Sequence, residues 1–172
     1  MITIRRGTAA DAGAVAELHT ESWRTAYAGI VPAQALGDGL GEQRREIWEL
    51  RLLAGYGAGE QPELLIAEPA DGGAPVGFGY LVPQPDGRVL LENLHVRPGR
   101  TGGGTGGALL AAAREWTAEQ HPGAPLYLEV LRDNHRAVAF YERAGGQRTA
   151  ERSSHFPGAG ELPEYEYTWP NP

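Results

Sequence analysis

The sequence predicts one α/β domain over residues 1–172, a mixed central sheet flanked by helices in the order βααβββαβαββ. Three observations lead there. The first third carries helical spacing, residues 63–96 change to two-residue alternation between turn dipeptides, and the remainder alternates helical with extended runs. A chain of 172 residues holds one substantial core, and no repeat or linker divides it.

Ile2 and Ile4 alternate with Thr3 and Arg5, which predicts a strand over 2–6. Thr8 followed by Asp11 reads as a capping box, and Val15, Leu18, Ser22 and Trp23 continue at helical spacing to about Thr25. Gly and Pro break "YAGIVPAQALGDGLG". "EQRREIWELRLL" then predicts a second helix with Ile47, Leu50 and Trp48 inward. "ELLIAEPA", "PVGFGYLVPQ" and "RVLLENLHV" are strands joined by "DGG" and "PDG", hence an antiparallel meander. "GGALLAAAREWTAEQH" is a helix stopped by "PG", with Leu109, Ala113 and Trp116 on one face. "PLYLEVL" is a strand, "DNHRAVAFYERAG" a helix, and "GQRTAERS" and "ELPEYEYTW" close the sheet around a "SSHFPGAG" loop. The last strand offers an edge for a homodimer, although its charges also protect such an edge.

Composition narrows the function classes. The chain has no Cys, so disulfides and thiolate chemistry are excluded and a reducing cytoplasm is permitted. A net charge of -7 disfavours nucleic-acid binding and leans toward a cationic small molecule as partner. Neither a signal-peptide core nor a run of roughly 20 apolar residues is present, so we expect a cytoplasmic protein away from membranes. High Gly, Ala and Arg content points to a bacterial source. His, Asp and Glu show no compact ligand spacing, so no metal is expected.

In "LENLHVRPGRTGGGTGGALL" a strand runs into a nearly side-chain-free bend and then into a helix. Such a bend points unblocked N–H groups at one spot, and the helix dipole adds positive potential there. This is an anion seat, most naturally for a phosphate, with a flexible glycine loop as the alternative. Gly102, Gly104 and Gly107 also spell G-x-G-x-x-G, with Glu129 at dinucleotide spacing. Too few residues follow Glu129 for a second nucleotide-binding half, and the preceding strands read as antiparallel. A phosphate-bearing acyl carrier fits better.

"LHVRPGRTGGGTGGALL" resembles the acetyl-CoA-binding segment of the GNAT N-acetyltransferases: a strand, V-x-P, then Q/R-x-x-G-x-G/A and a helix. "LYLEVLRDNHRAVAFYERAGG" resembles that family's second segment, and "ESWRTAYAGIVP" its acceptor-side helix and loop. The likeness covers nearly the whole chain and implies acetyl-CoA as cofactor. It departs at Thr101, where the family usually has Gln or Arg, and at Gly103, where a basic residue is common; Arg100 falls one position early. The seat therefore consists of backbone from Gly102, Gly103, Gly104, Gly106 and Gly107, the Thr101 and Thr105 hydroxyls and Arg100, and weaker CoA binding is expected.

Acetyl transfer to an amine needs a polarised carbonyl, a neutral amine and an acid for the leaving thiolate. The resemblance implies that backbone at Leu94, His95 and Val96 holds the pantetheine, that Asn134 hydrogen-bonds it, and that Tyr141 protonates the sulfur. Glu92 shares a face with Leu90, Leu94 and Val96 by alternation, with His95 on the other face. Glu92 is then either a base of raised pKa or an anchor for a cationic acceptor. Trp23, Tyr27 and Trp48 are candidates for the acceptor pocket through cation–π attraction, and His155 is a loop candidate. The expected function is N-acetylation of a small-molecule amine, aminoglycoside-like or otherwise cationic. A protein N-terminus or lysine as acceptor, a non-catalytic acyl-CoA sensor and a nucleotide-binding oxidoreductase are the alternatives.

Overall fold

The structure, a computed structural model, describes residues 1–53 and 61–170. Its elements are β1 (Ile2–Arg6), α1 (Ala12–Ala26), α2 (Leu40–Leu53), β2 (Glu63–Pro69), β3 (Gly77–Pro83), β4 (Val89–Val96), α3 (Thr105–Gln120), β5 (Leu126–Leu131), α4 (His135–Arg143), β6 (Gln147–Phe156) and β7 (Gly160–Trp169). Together they follow the predicted order. Asp11 closes the turn before α1 by accepting from the Thr8 N–H at 2.8 Å, and it also pairs with Arg5.

One seven-stranded sheet runs β1-β2-β3-β4-β5-β7-β6. The turns "DGG" and "PDG" join antiparallel neighbours β2, β3 and β4, as their chemistry predicts. β4 and β5 are parallel and joined through α3, since parallel neighbours need a crossover. β7 lies between β5 and β6, so both of its edges are taken. The expected pairing of "ELPEYEYTW" with a second copy therefore has no edge to use, and the sheet ends at β1 and β6.

Alternation along the strands sorts two cores. Leu64, Ile66, Phe78 and Tyr80 face α1 and α2, where Val15, Leu18 and Trp48 are buried. Leu65, Ala67, Leu81 and Leu91 face Leu109, Leu110 and Ala113 of α3, and Tyr141, Tyr167 and Trp169 complete that layer. Trp48 is fully buried whereas Leu50 is 69% exposed, so α2 is turned away from the expected orientation. The reason is chemical. Arg44, Trp48 and Arg51 share a face at i, i+4 and i+7, and that mixed face, not the Ile47–Leu50 one, looks inward.

Pairing between β4 and β5 is confined to Val89–Leu126 and Leu90–Tyr127, after which the two strands diverge. A bulge shifts the β3–β4 register between Tyr80 and Leu81, so that Asn93 opposes Tyr80 and Leu91 opposes Leu81. These two irregularities position the site.

Candidate active site

Three segments converge at the end of α3. A Cβ on Gly106 would stand 3.4 Å from Phe140 Cζ of α4 and 3.7 Å from Val96 Cγ2 of β4, so strand, bend and second segment meet over one glycine. Gly102 and Gly104 have φ of +85° and +87°, conformations that favour glycine. Arg100 N–H donates to the Arg97 carbonyl and Ala108 N–H to Gly104, but among the described residues no N–H from 101 to 107 has a backbone partner. The bend therefore presents a continuous row of donors at a helix N-terminus, the chemistry that a pyrophosphate requires. Its side chains contribute less than expected. Thr105 is buried with its methyl against β3, Thr101 and Arg100 are exposed, and Arg100 borders a cavity of about 760 Å³ shared with β1 and the β2–β3 turn.

Along β4 the donors are selective. Arg97 N–H donates to Val76, and by alternation the His95 backbone also turns to β3. The N–H groups of Leu94 and Val96 point instead into the divergence from β5, free for a ligand strand; His95 is thereby removed from the expected backbone set. Asn134 caps α4 by accepting from the Ala137 N–H at 3.3 Å, which leaves its amide nitrogen to a ligand.

Tyr141 is buried against Tyr167 and Trp169, at centroid distances of 6.3 and 6.0 Å. Burial, with Tyr27 adding to it, pushes the phenol well above its usual range, so the proton stays on oxygen. No described residue hydrogen-bonds that hydroxyl. Tyr27 is pushed up to about 12, again by burial.

Glu92 departs from its expected setting. The bulge breaks the alternation, and the carboxylate is 36% exposed and paired with Arg51 at 2.9 Å instead of lying among Leu90, Leu94 and Val96. Arg51 also reaches Asn93, so Glu92 and His95 both belong to the α1–α2 side rather than to opposite faces. His155 lies in β6, not in a loop, with its side chain 71% exposed and 3.7 Å from Glu161. Among the described residues it has no side-chain hydrogen bond or ring contact with the residues named above. Trp48 is core, and its Nε1–H donates to His19 Nδ1 at 3.0 Å. Glu129 of β5 pairs with Arg152 of the edge strand β6 at 3.5 Å.

Trp23 and Tyr27 are half-buried and joined by Phe156 of β6, which stacks on Trp23 at 4.9 Å and meets Tyr27 edge-on at 5.3 Å. His95 shares a 2.8 Å hydrogen bond with Ser22 and lies 4.7 Å from the His19 ring. Burial, then the charge of Arg44, pushes His95 down to about 4, so it is neutral at physiological pH. Sequence reasoning missed His19, Ser22, Arg44 and Phe156. The available signal was polar residues on inward stripes: His19 is four residues after Val15, and Arg44 four before Trp48.

Among the described residues no group of His, Asp and Glu is placed to hold a metal, and no helix is long and apolar enough to cross a membrane. The antiparallel meander stands where a dinucleotide fold would need a parallel βαβ unit.

The family model described as Acetyltransferase (GNAT) family matches residues 15–146. A Bacillus subtilis (strain 168) protein named uncharacterized N-acetyltransferase YuaI is 27% identical, over 99% of this chain and 94% of that protein. Among solved structures, the PaiA N-acetyltransferase of Thermoplasma acidophilum in complex with coenzyme A superposes with a TM-score of 0.72 at 21% identity, covering 97% of this chain and 99% of that one. YncA of Salmonella typhimurium, a putative acetyltransferase solved with acetyl-CoA, gives 0.70 at 18% identity, covering 100% and 95%.

Proposed function

Because the chain belongs to the Acetyltransferase (GNAT) family, we propose that it moves the acetyl group of acetyl-CoA to a primary amine of a small molecule within a ternary complex. The observation that carries this reading is the row of unpartnered N–H groups from 101 to 107, set at the open end of the β4–β5 divergence. Acetyl-CoA supplies an activated acyl thioester and a phosphate-rich handle. Residues 101–107 bind the handle, and the Leu94 and Val96 N–H groups and the Asn134 amide orient the arm. Tyr141 holds a proton at its hydroxyl for the departing sulfur, which its burial favours. Glu92, although paired with Arg51, remains the candidate that takes the amine proton, directly or through water.

Thermal unfolding with acetyl-CoA, CoA and NAD in parallel tests the cofactor. Ligand at 100 times its Kd adds about 2.7 kcal/mol, or roughly 5–10 °C for a domain of this size. Shifts with CoA and acetyl-CoA alone support the reading, and thiol release with an amine separates an enzyme from a sensor. A shift with NAD alone defeats it.

A further inference from the structure

Where α1 meets α2, two buried side-chain donors have no acceptor among the described residues. Arg44 lies flat on Trp23, its guanidinium carbon 3.7 Å from the ring centroid, and no described carboxylate is within ion-pair distance. Its Nε is buried without a partner. The Trp48 N–H occupies His19 Nδ1, so the proton of the neutral His19 ring sits on Nε2, which is also buried and unpartnered. Two of the three such atoms among the described residues thus lie in this one cluster.

Magnitudes decide what that means. Stacking on an indole returns about 0.5–2 kcal/mol to a guanidinium. Arg44 is half-buried, so its charge is only partly taken out of water, and without a counter-ion that partial desolvation offsets the stacking gain. An anion on the guanidinium would improve the balance. Arg51, the other cation on this face of α2, is already matched by Glu92, so the unmatched charge belongs to Arg44.

Resting on the acetyl-transfer reading above, we propose that the acceptor amine also carries a carboxylate, an amino-acid-like molecule, and that Arg44 binds that carboxylate while Trp23, Tyr27 and Phe156 flank its body. A planar guanidinium matches a carboxylate with two parallel hydrogen bonds, and the aromatic stack fixes its orientation beforehand. Locally this reverses the leaning toward a cationic acceptor that the net charge of -7 suggests, because the unmatched charge of Arg44 is opposite to the net charge of the chain.

Matched pairs of compounds test it: a panel of amino acids against the amines obtained by removing only their carboxyl groups, assayed by thiol release from acetyl-CoA. Stabilisation of the CoA complex is the second readout. With the wild-type protein, at least one amino acid is expected to show kcat/KM about 10–100 times that of its decarboxylated partner, the range for a charged hydrogen bond. In Arg44→Gln this ratio falls to within about threefold, mainly through KM, and Arg44→Lys retains an intermediate ratio. Both variants keep the thermal shift with CoA, which establishes that they fold. Decarboxylated amines used as well as their partners, a ratio indifferent to Arg44→Gln, or no carboxylate-dependent turnover or stabilisation in the panel would overturn the proposal. Loss of CoA binding in the wild type would instead overturn acetyl transfer itself, so the two failures are distinguishable.

Discussion

The proposed cofactor side and acceptor side are built from different materials. On the cofactor side, residues 101–107 expose backbone and almost nothing else. The acceptor side is all side chain, with His19, Ser22, Trp23 and Tyr27 from α1 and its end, Arg44 from α2, His95 from β4 and Phe156 from β6. A backbone seat has its geometry set by a few glycines and tolerates little change. A side-chain wall can change one residue at a time, so on the acetyl-transfer reading it is where acceptor choice would reside.

Tyr141 stands between the two sides, and its removal is expected to have the largest effect. Tyr141→Phe should lower kcat by about 10²–10⁴ while leaving CoA binding near the wild-type value. Turnover that stays close to wild type would take the acid out of the middle and leave two walls with nothing between them.

Next in size is Gly104→Ala. With φ at +87°, an added Cβ strains the bend by about 1–2 kcal/mol, so the Kd for CoA should rise roughly tenfold while the preference among acceptors is unchanged. A changed preference in titration and competition assays would mean that the sides are not separable.

Gly103 sharpens the same contrast from the other direction. Its φ is not positive, and a Cβ there would meet only the Arg100 carbonyl at 3.8 Å. Gly103→Lys restores a cation to the seat and should tighten CoA by about threefold to tenfold, with a gain that fades as salt is raised. No gain at low ionic strength would show that the backbone donors already saturate the phosphates.

The smallest effect is on stability against pH. The His95 imidazole is pushed down to about 4, so between there and its ordinary value near 6.5 the unfolded chain binds a proton that the folded one refuses. Stability is therefore lost as pH falls through that window. Glu164 works in the opposite sense: burial and then the Glu129 carboxyl push it up to about 7, and its contribution is lost as pH rises from the ordinary carboxylate range toward 7. Glu164→Gln should steepen the acid-side decline in melting temperature and His95→Asn should flatten it. Identical profiles for both variants would place the acid sensitivity elsewhere.

Legibility in the sequence follows the same division. The element order and the anion seat were readable, because glycines, turn dipeptides and hydrophobic periods act locally. The acceptor wall was not. Arg44 and His19 look like ordinary helix polar residues until Trp48 brings them inward, and a periodicity rule that seeks apolar stripes selects Leu50 over a face carrying two arginines. The bulge was equally silent. One extra residue in β4 moved Glu92 from its expected apolar neighbours to Arg51, and nothing in "LLENLHV" announces it. The closing strand read as an edge because strand order in space is not strand order in sequence.

The short contact between β4 and β5 has a mechanical consequence. Two residue pairs weld a four-stranded ribbon to a three-stranded one, and the remainder of the seam is held by side chains beneath it. If the pantetheine arm lies in that seam, as proposed, it substitutes for absent ladder bonds. The cofactor would then serve as a splint as well as a reagent, and amide hydrogens on both ribbons should exchange more slowly in concert once the seam is filled.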